Sequence, residues 1–149
     1  MTVMVEPGLD RICPDAFNQI IRDELPMAEL LGIRVERIDD GSARGRLPAT
    51  VQLIRPGGTL SGPALATLAD VTFYAAIMGR LGPARMAVTS NLNCHFLRRA
   101  RSDRDLIANA RILKLGQRLA VGEVQLFSTG DDEPVALVTA TYVLPDRDD

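Results

Sequence analysis

Apolar residues at Ala16, Phe17, Ile20, Ile21 and Leu25 recur at helical spacing after the Pro14-Asp15 pair. The segment from Asp15 to Leu31 is therefore predicted to be helical, broken at Pro26 and ended by Gly32. These short helices are expected to pack as an N-terminal lid on a larger body. From Ile33 to Asp39 the pattern reads as a strand, and Asp40-Gly41 is a tight-turn signal joining it to Ser42–Ala49 as a hairpin. A loop rich in Gly and Pro, Arg55–Pro63, leads into Ala64–Leu81, which reads as one continuous helix of about five turns. That helix is apolar on nearly every side, and a helix without a polar face must be surrounded by protein. After Gly82-Pro83 come four strand-like runs, Met86–Leu97, Asp105–Lys114, Arg118–Phe127 and Val135–Leu144. Short loops join the last three and suit antiparallel pairing.

Strands wrapped round one buried helix make an α+β arrangement. The architecture that places a long apolar helix inside a curved antiparallel sheet, here of five or six strands, is the hotdog fold. A single such domain is expected over residues 1–149, with N-terminal helices in 14–31 and frayed ends at 1–13 and 146–149. One domain leaves a sheet edge open, so a homodimer with a continuous sheet, or a homotetramer, is expected.

Composition narrows the setting. At 149 residues, 46% hydrophobic and 24% charged, the chain has the make-up of a soluble globular domain large enough to bury a core without staples. The two cysteines, Cys13 and Cys94, do not make a disulfide framework, and the N-terminus has no signal-peptide pattern. With no uninterrupted 18-residue apolar run, a cytoplasmic protein with no membrane partner is expected. The formal charge of −2 gives no global basic field for nucleic acid, and six aromatics without Trp offer no stacking platform for bases. A single histidine, His95, removes His-pair metal motifs, so no metal site is expected.

Between Arg55 and Arg80 the one ionisable carboxyl is Asp70, about two turns inside the predicted helix, too deep for capping or the helix dipole to explain it. A carboxylate there either accepts structural hydrogen bonds from hydroxyls or amides, or serves as a catalytic group. At the start of the same helix, the first N–H groups around Gly62 and Ala64 point out unsatisfied and could hold a carbonyl oxygen as negative charge develops on it. The plainer reading makes Ser61 an N-cap and Pro63 an early helical proline. On the strand Met86–Leu97, alternation places Thr89, Asn91, Asn93 and His95 on one face, with Met86, Val88, Leu92, Cys94 and Phe96 on the other. Cys94 thereby reads as a small core residue rather than a nucleophile. Arg98, Arg99, Arg101, Arg104, Lys114 and Arg118 form a basic group either solvated or suited to phosphates, at the scale of coenzyme A rather than a duplex.

The stretch Gly58-Thr59-Leu60-Ser61-Gly62-Pro63-Ala64-Leu65-Ala66-Thr67-Leu68-Ala69-Asp70 resembles the helix motif of hotdog acyl-CoA thioesterases of the PaaI-like type. The resemblance runs from about Leu30 to Leu144. It takes in Ala87–Asn93, similar to the family's strand after the helix, and Leu113–Ala120, similar to its lysine-glycine hairpin near the CoA phosphates. It implies Asp70 as base or nucleophile, Gly62 as oxyanion donor and Thr89 beside them. Ser61 stands where the family commonly has His, and Arg55 where it often has Asn or Gln. Pro63 replaces a second glycine and removes one backbone donor. The implied site thus comprises Asp70, Gly62, Ser61 and Thr89 for catalysis, and Arg55, Asn91, Arg98, Arg99, Lys114 and Arg118 for the substrate, shared across a dimer interface with Asp70 of one chain facing Arg55–Gly62 or Thr89 of the other. Its expected activity is hydrolysis of an acyl-CoA thioester, with no cofactor beyond the CoA carried by the substrate. A non-catalytic acyl-CoA-binding or sensing module is the alternative, and a hotdog dehydratase would need a histidine near the helix. Phe73, Tyr74, Ile77 and Met78 are the expected walls of the acyl pocket.

Overall fold

The computed structural model describes residues 12–146. The expected fraying of 1–11 and 147–149 lies outside those residues. Ile12, assigned to the frayed stretch, is instead 1% exposed and part of the hydrophobic core.

Two helices open the fold, α1 (Pro14–Glu24) and α2 (Pro26–Leu31). Each has a proline in its first turn, where the missing N–H costs nothing. Gly32 at φ 77° ends α2 in the left-handed conformation that glycine adopts without strain. Helix α1 buries Ala16, Phe17, Ile20 and Ile21. Its Asn18 brackets Val35: Nδ2 donates to the Val35 carbonyl at 2.9 Å, and the Val35 N–H donates to Oδ1 at 2.8 Å. The helices therefore dock beside the first strand of the sheet.

That sheet is antiparallel throughout and has six strands: β1 (Arg34–Asp39), β2 (Ser42–Leu47), β5 (Val88–Phe96), β6 (Leu106–Leu115), β7 (Leu119–Ser128) and β8 (Ala136–Val143), in the order β1-β2-β6-β7-β8-β5. A two-stranded hairpin, β3 (Ile54–Arg55) with β4 (Thr59–Leu60), lies in the segment read as loop. Strands of two residues are too short to show alternation. Helix α3 (Gly62–Leu81) packs on the sheet, beginning two residues before the predicted start, and the α+β hotdog arrangement is as expected.

Glycines seat the helix. A Cβ at Gly122 of β7 would occupy the space of the Phe73 ring, and one at Gly45 of β2 would collide with the Thr72 hydroxyl. Close approach at these two points lets α3 bury every residue from Val71 to Gly79. By length and hydropathy α3 could cross a bilayer, but 72% of its most apolar window is buried within this protein. The sheet has two edges, β1 and β5. Strand β5 is nine residues long and pairs only with β8 among the described residues. It leaves Val88, Phe96 and the adjoining Leu97 more than half exposed.

Candidate active site

The N-terminal half of α3 extends past the sealed part of the core toward β5, so its outer side stays partly open, and Pro63, Ala66, Thr67 and Asp70 lie on it. Asp70 is half-buried. Its Oδ1 accepts two hydrogen bonds, from the Thr89 hydroxyl at 2.7 Å and from the Tyr142 hydroxyl at 2.6 Å. Thr89 and Tyr142 are register partners across β5 and β8, which aims both hydroxyls at one point on the helix. The carboxylate that the sequence presents as solitary is therefore held by two donors.

Tyr142 is the residue that sequence reasoning missed. Its ring stands edge-on to Phe73, with centroids 5.5 Å apart, and stacks on Tyr74 at 5.9 Å. Burial, and then the neighbouring Asp70 carboxylate, holds its hydroxyl protonated far above the ordinary phenol range, so it remains a donor. Burial likewise pushes Tyr74 up to about 12, and its hydroxyl donates to the Arg85 carbonyl at 2.7 Å. Burial first, then Asp70, raises Cys94, which fits a packing thiol rather than a nucleophile. A buried tyrosine needs a partner for its hydroxyl, and that requirement is the signal in the run Thr139–Tyr142 that could have found it.

Asp70, Thr89 and Tyr142 open onto a cleft of about 330 Å³. Apart from Arg85, the rest of its lining is Leu25, Val71, Tyr74, Ala87 and Val88. Of the four expected acyl-pocket walls, only Tyr74 takes part. Phe73, Ile77 and Met78 are fully buried in the core, because the helix rotates them under the sheet.

The expected grouping on β5 is corrected by a bulge. Thr89 pairs with Tyr142, and Asn91 with the next residue, Thr141, leaving Ser90 as the extra residue. Side-chain alternation is reset there. Thr89 turns to the helix, with Leu92 and Cys94 on the same side, whereas Asn91, Asn93 and His95 are exposed on the other. Asn91 does not join Asp70 in this chain.

At the start of α3, the Ser61 hydroxyl accepts from the Ala64 N–H at 3.4 Å, a capping contact. The Gly62 N–H has no partner among the described residues, and the Phe96 ring lies 3.2 Å from where a Cβ on Gly62 would stand. Arg55 is exposed in β3 and donates to the Pro56 carbonyl at 3.2 Å. Arg98 pairs with Glu133. Arg99, Lys114 and Arg118 are exposed and have no carboxylate partner among the described residues. The basic residues do not form one rim in this chain. Arg98 and Arg99 follow the Phe96 end of β5, while Lys114 and Arg118 flank the β6–β7 turn, in register with the Val88 end. Nine residues of strand, about 30 Å, separate the two groups.

Residues 57–135 match the profile of the Thioesterase superfamily. The chain belongs to that superfamily. A Halobacterium salinarum protein whose name places it among the esterases is 33% identical over 135 residues, covering 85% of this chain and 88% of the relative. A thioesterase structure from a Silicibacter species superposes with a TM-score of 0.79 at 36% identity, covering 97% of this chain and 95% of the other. The phenylacetic acid degradation protein PaaI from Thermus thermophilus, solved as a variant, gives 0.70 at 30% identity over 79% of this chain and 97% of its own. The match takes in the start of α3, Asp70 and Thr89, and places the protein among PaaI-like hotdog thioesterases, whose general chemistry is thioester hydrolysis.

Proposed function

We propose that this thioesterase hydrolyses an acyl-CoA, at a site completed by a second copy of the chain. The observation that carries the reading is Asp70, fixed through Oδ1 by Thr89 and Tyr142 at the mouth of an apolar cleft while Oδ2 has no hydrogen bond among the described residues. The free oxygen acts on the thioester carbon, through a water whose proton it takes or by direct attack to an acyl-Asp70 anhydride that a water then cleaves to the free acid. A backbone N–H binds the carbonyl oxygen as charge gathers there. The C–S bond then breaks, and the CoA sulfur leaves as thiolate and takes up a proton. The reading asks for no metal or redox cofactor.

Gly62 supplies that N–H, but not to the Asp70 of its own chain. Eight residues of helix separate the two, about 12 Å, too far for both to reach one carbonyl. Two copies joined antiparallel along β5 resolve the distance. The Phe96 end of one strand, with Gly62 packed on it, then lies beside the Val88–Thr89 end of the other, where Asp70 sits. The same pairing brings Arg55 and Arg99 of one copy toward Lys114 and Arg118 of its mate, and gathers the two basic groups for the CoA phosphates. Asp70 would therefore face Gly62 across the interface, while Thr89 serves the carboxylate of its own chain.

Release of free thiol from a panel of acyl-CoAs tests the reading. Turnover by the wild-type protein, falling by about 10²–10⁴-fold in Asp70→Asn, is the expected result. Acyl-CoA binding without turnover would instead establish the sensing module, and equal rates in the folded variant would remove Asp70 from the chemistry.

A further inference from the structure

The two hydroxyls on Asp70 differ in what else they do. Thr89 is exposed on an edge strand, whereas Tyr142 is 4% exposed, clamped between Phe73 and Tyr74 and anchored in the interior strand β8. Its oxygen also lies 3.1 Å from the backbone carbonyl of Asp70. The one proton of the phenol goes to the shorter contact, the carboxylate at 2.6 Å.

We propose that Tyr142 is the positioning residue of the active site: its hydroxyl fixes the plane of the Asp70 carboxylate, leaving Oδ2 as the working oxygen. This rests on the reading of Asp70 as the catalytic group. A hydrogen bond to a charged acceptor is about twice as strong as one between neutral groups, and Tyr142 stays protonated, so the donor persists across the working pH range. The other groups that face Asp70 are few. Thr89 on β5 donates to the same oxygen, Cys94 on β5 feels its charge, Tyr74 on α3 is committed to the Arg85 carbonyl, and Arg85 lines the cleft but pairs with Glu24 at 3.0 Å. Among the described residues Tyr142 is thus the one buried donor that reaches the carboxylate from the sheet interior.

The test is Tyr142→Phe, which keeps the ring between Phe73 and Tyr74 and removes one oxygen. With the donor gone, the Asp70 carboxylate loses one of the two contacts that fix its plane. Accordingly kcat should fall by roughly 3- to 30-fold, with KM changed by less than about twofold, because the carboxylate is misplaced while the cleft is intact. A Tyr142→Phe kcat equal to that of wild type, beside an inactive Asp70→Asn, overturns the positioning role alone. Wild-type turnover in Asp70→Asn overturns the reading of Asp70, and this role with it.

Discussion

The two halves of α3 are both mostly apolar and have opposite surroundings. From Val71 to Gly79 every residue is buried, because the glycines of β2 and β7 let the sheet close on that half. From Gly62 to Asp70, Pro63 is exposed and Gly62, Ala66, Thr67 and Asp70 are partly so, because that half runs alongside the edge strand β5. One half supplies burial, and the other carries the residues proposed for the chemistry. A carboxylate is tolerable at Asp70 because the open half gives it two hydroxyl partners and access to water.

The largest effects should separate the halves cleanly. Asp70→Asn should remove most turnover yet leave the urea midpoint near wild type. Phe73, three residues on, is fully buried over Gly122. Phe73→Ala should cost about 3–5 kcal/mol of stability, a large share of what a domain of this size possesses, read as a lower urea midpoint. Stability loss of that size in Asp70→Asn would show that the open half is structural too, and erase the distinction.

A smaller effect concerns what the open half faces. Charge reversal of Arg99 together with Lys114 should raise KM for an acyl-CoA several-fold, and more than for a short acyl thioester lacking the nucleotide. Equal changes for both substrates would mean that these cations are only solvated edges.

Much of this division is legible in the sequence, and the reasons differ by element. Helical spacing at Ala16–Leu25, the apolar run at Ala64–Leu81 and the strand-like runs after Gly82-Pro83 are local signals, and each produced its element to within a few residues. The motif from Gly58 to Asp70 brings out the start of the helix and its carboxylate together. The bulge at Ser90 leaves no local mark, since a single extra residue changes which face a side chain takes without changing composition. Tyr142 lies 72 residues from Asp70 and reaches it only through the placement of β8 beside β5. The splitting of the basic residues between two ends of the sheet is likewise a property of strand order, which no spacing in the chain encodes.

The boundary of the open half is Ser61, and there the smallest effect decides most finely. Its hydroxyl accepts from the Ala64 N–H at 3.4 Å, a long contact, so Ser61→Ala should cost near the lower end of the 0.5–2 kcal/mol range for a lost cap, roughly 0.5–1 kcal/mol. In a chain of this length that is about 1–4 °C in Tm. Gly62, one residue on, keeps its N–H free whether or not Ser61 caps the helix, because the cap serves Ala64. The proposed oxyanion donor should therefore survive the substitution, and kcat should stay within about twofold of wild type. A fall in kcat with an unchanged Tm would mean that Ser61 touches the thioester or its water, in the place where relatives of the PaaI-like type commonly carry an imidazole. The chemical half of α3 would then begin one residue earlier, at its cap.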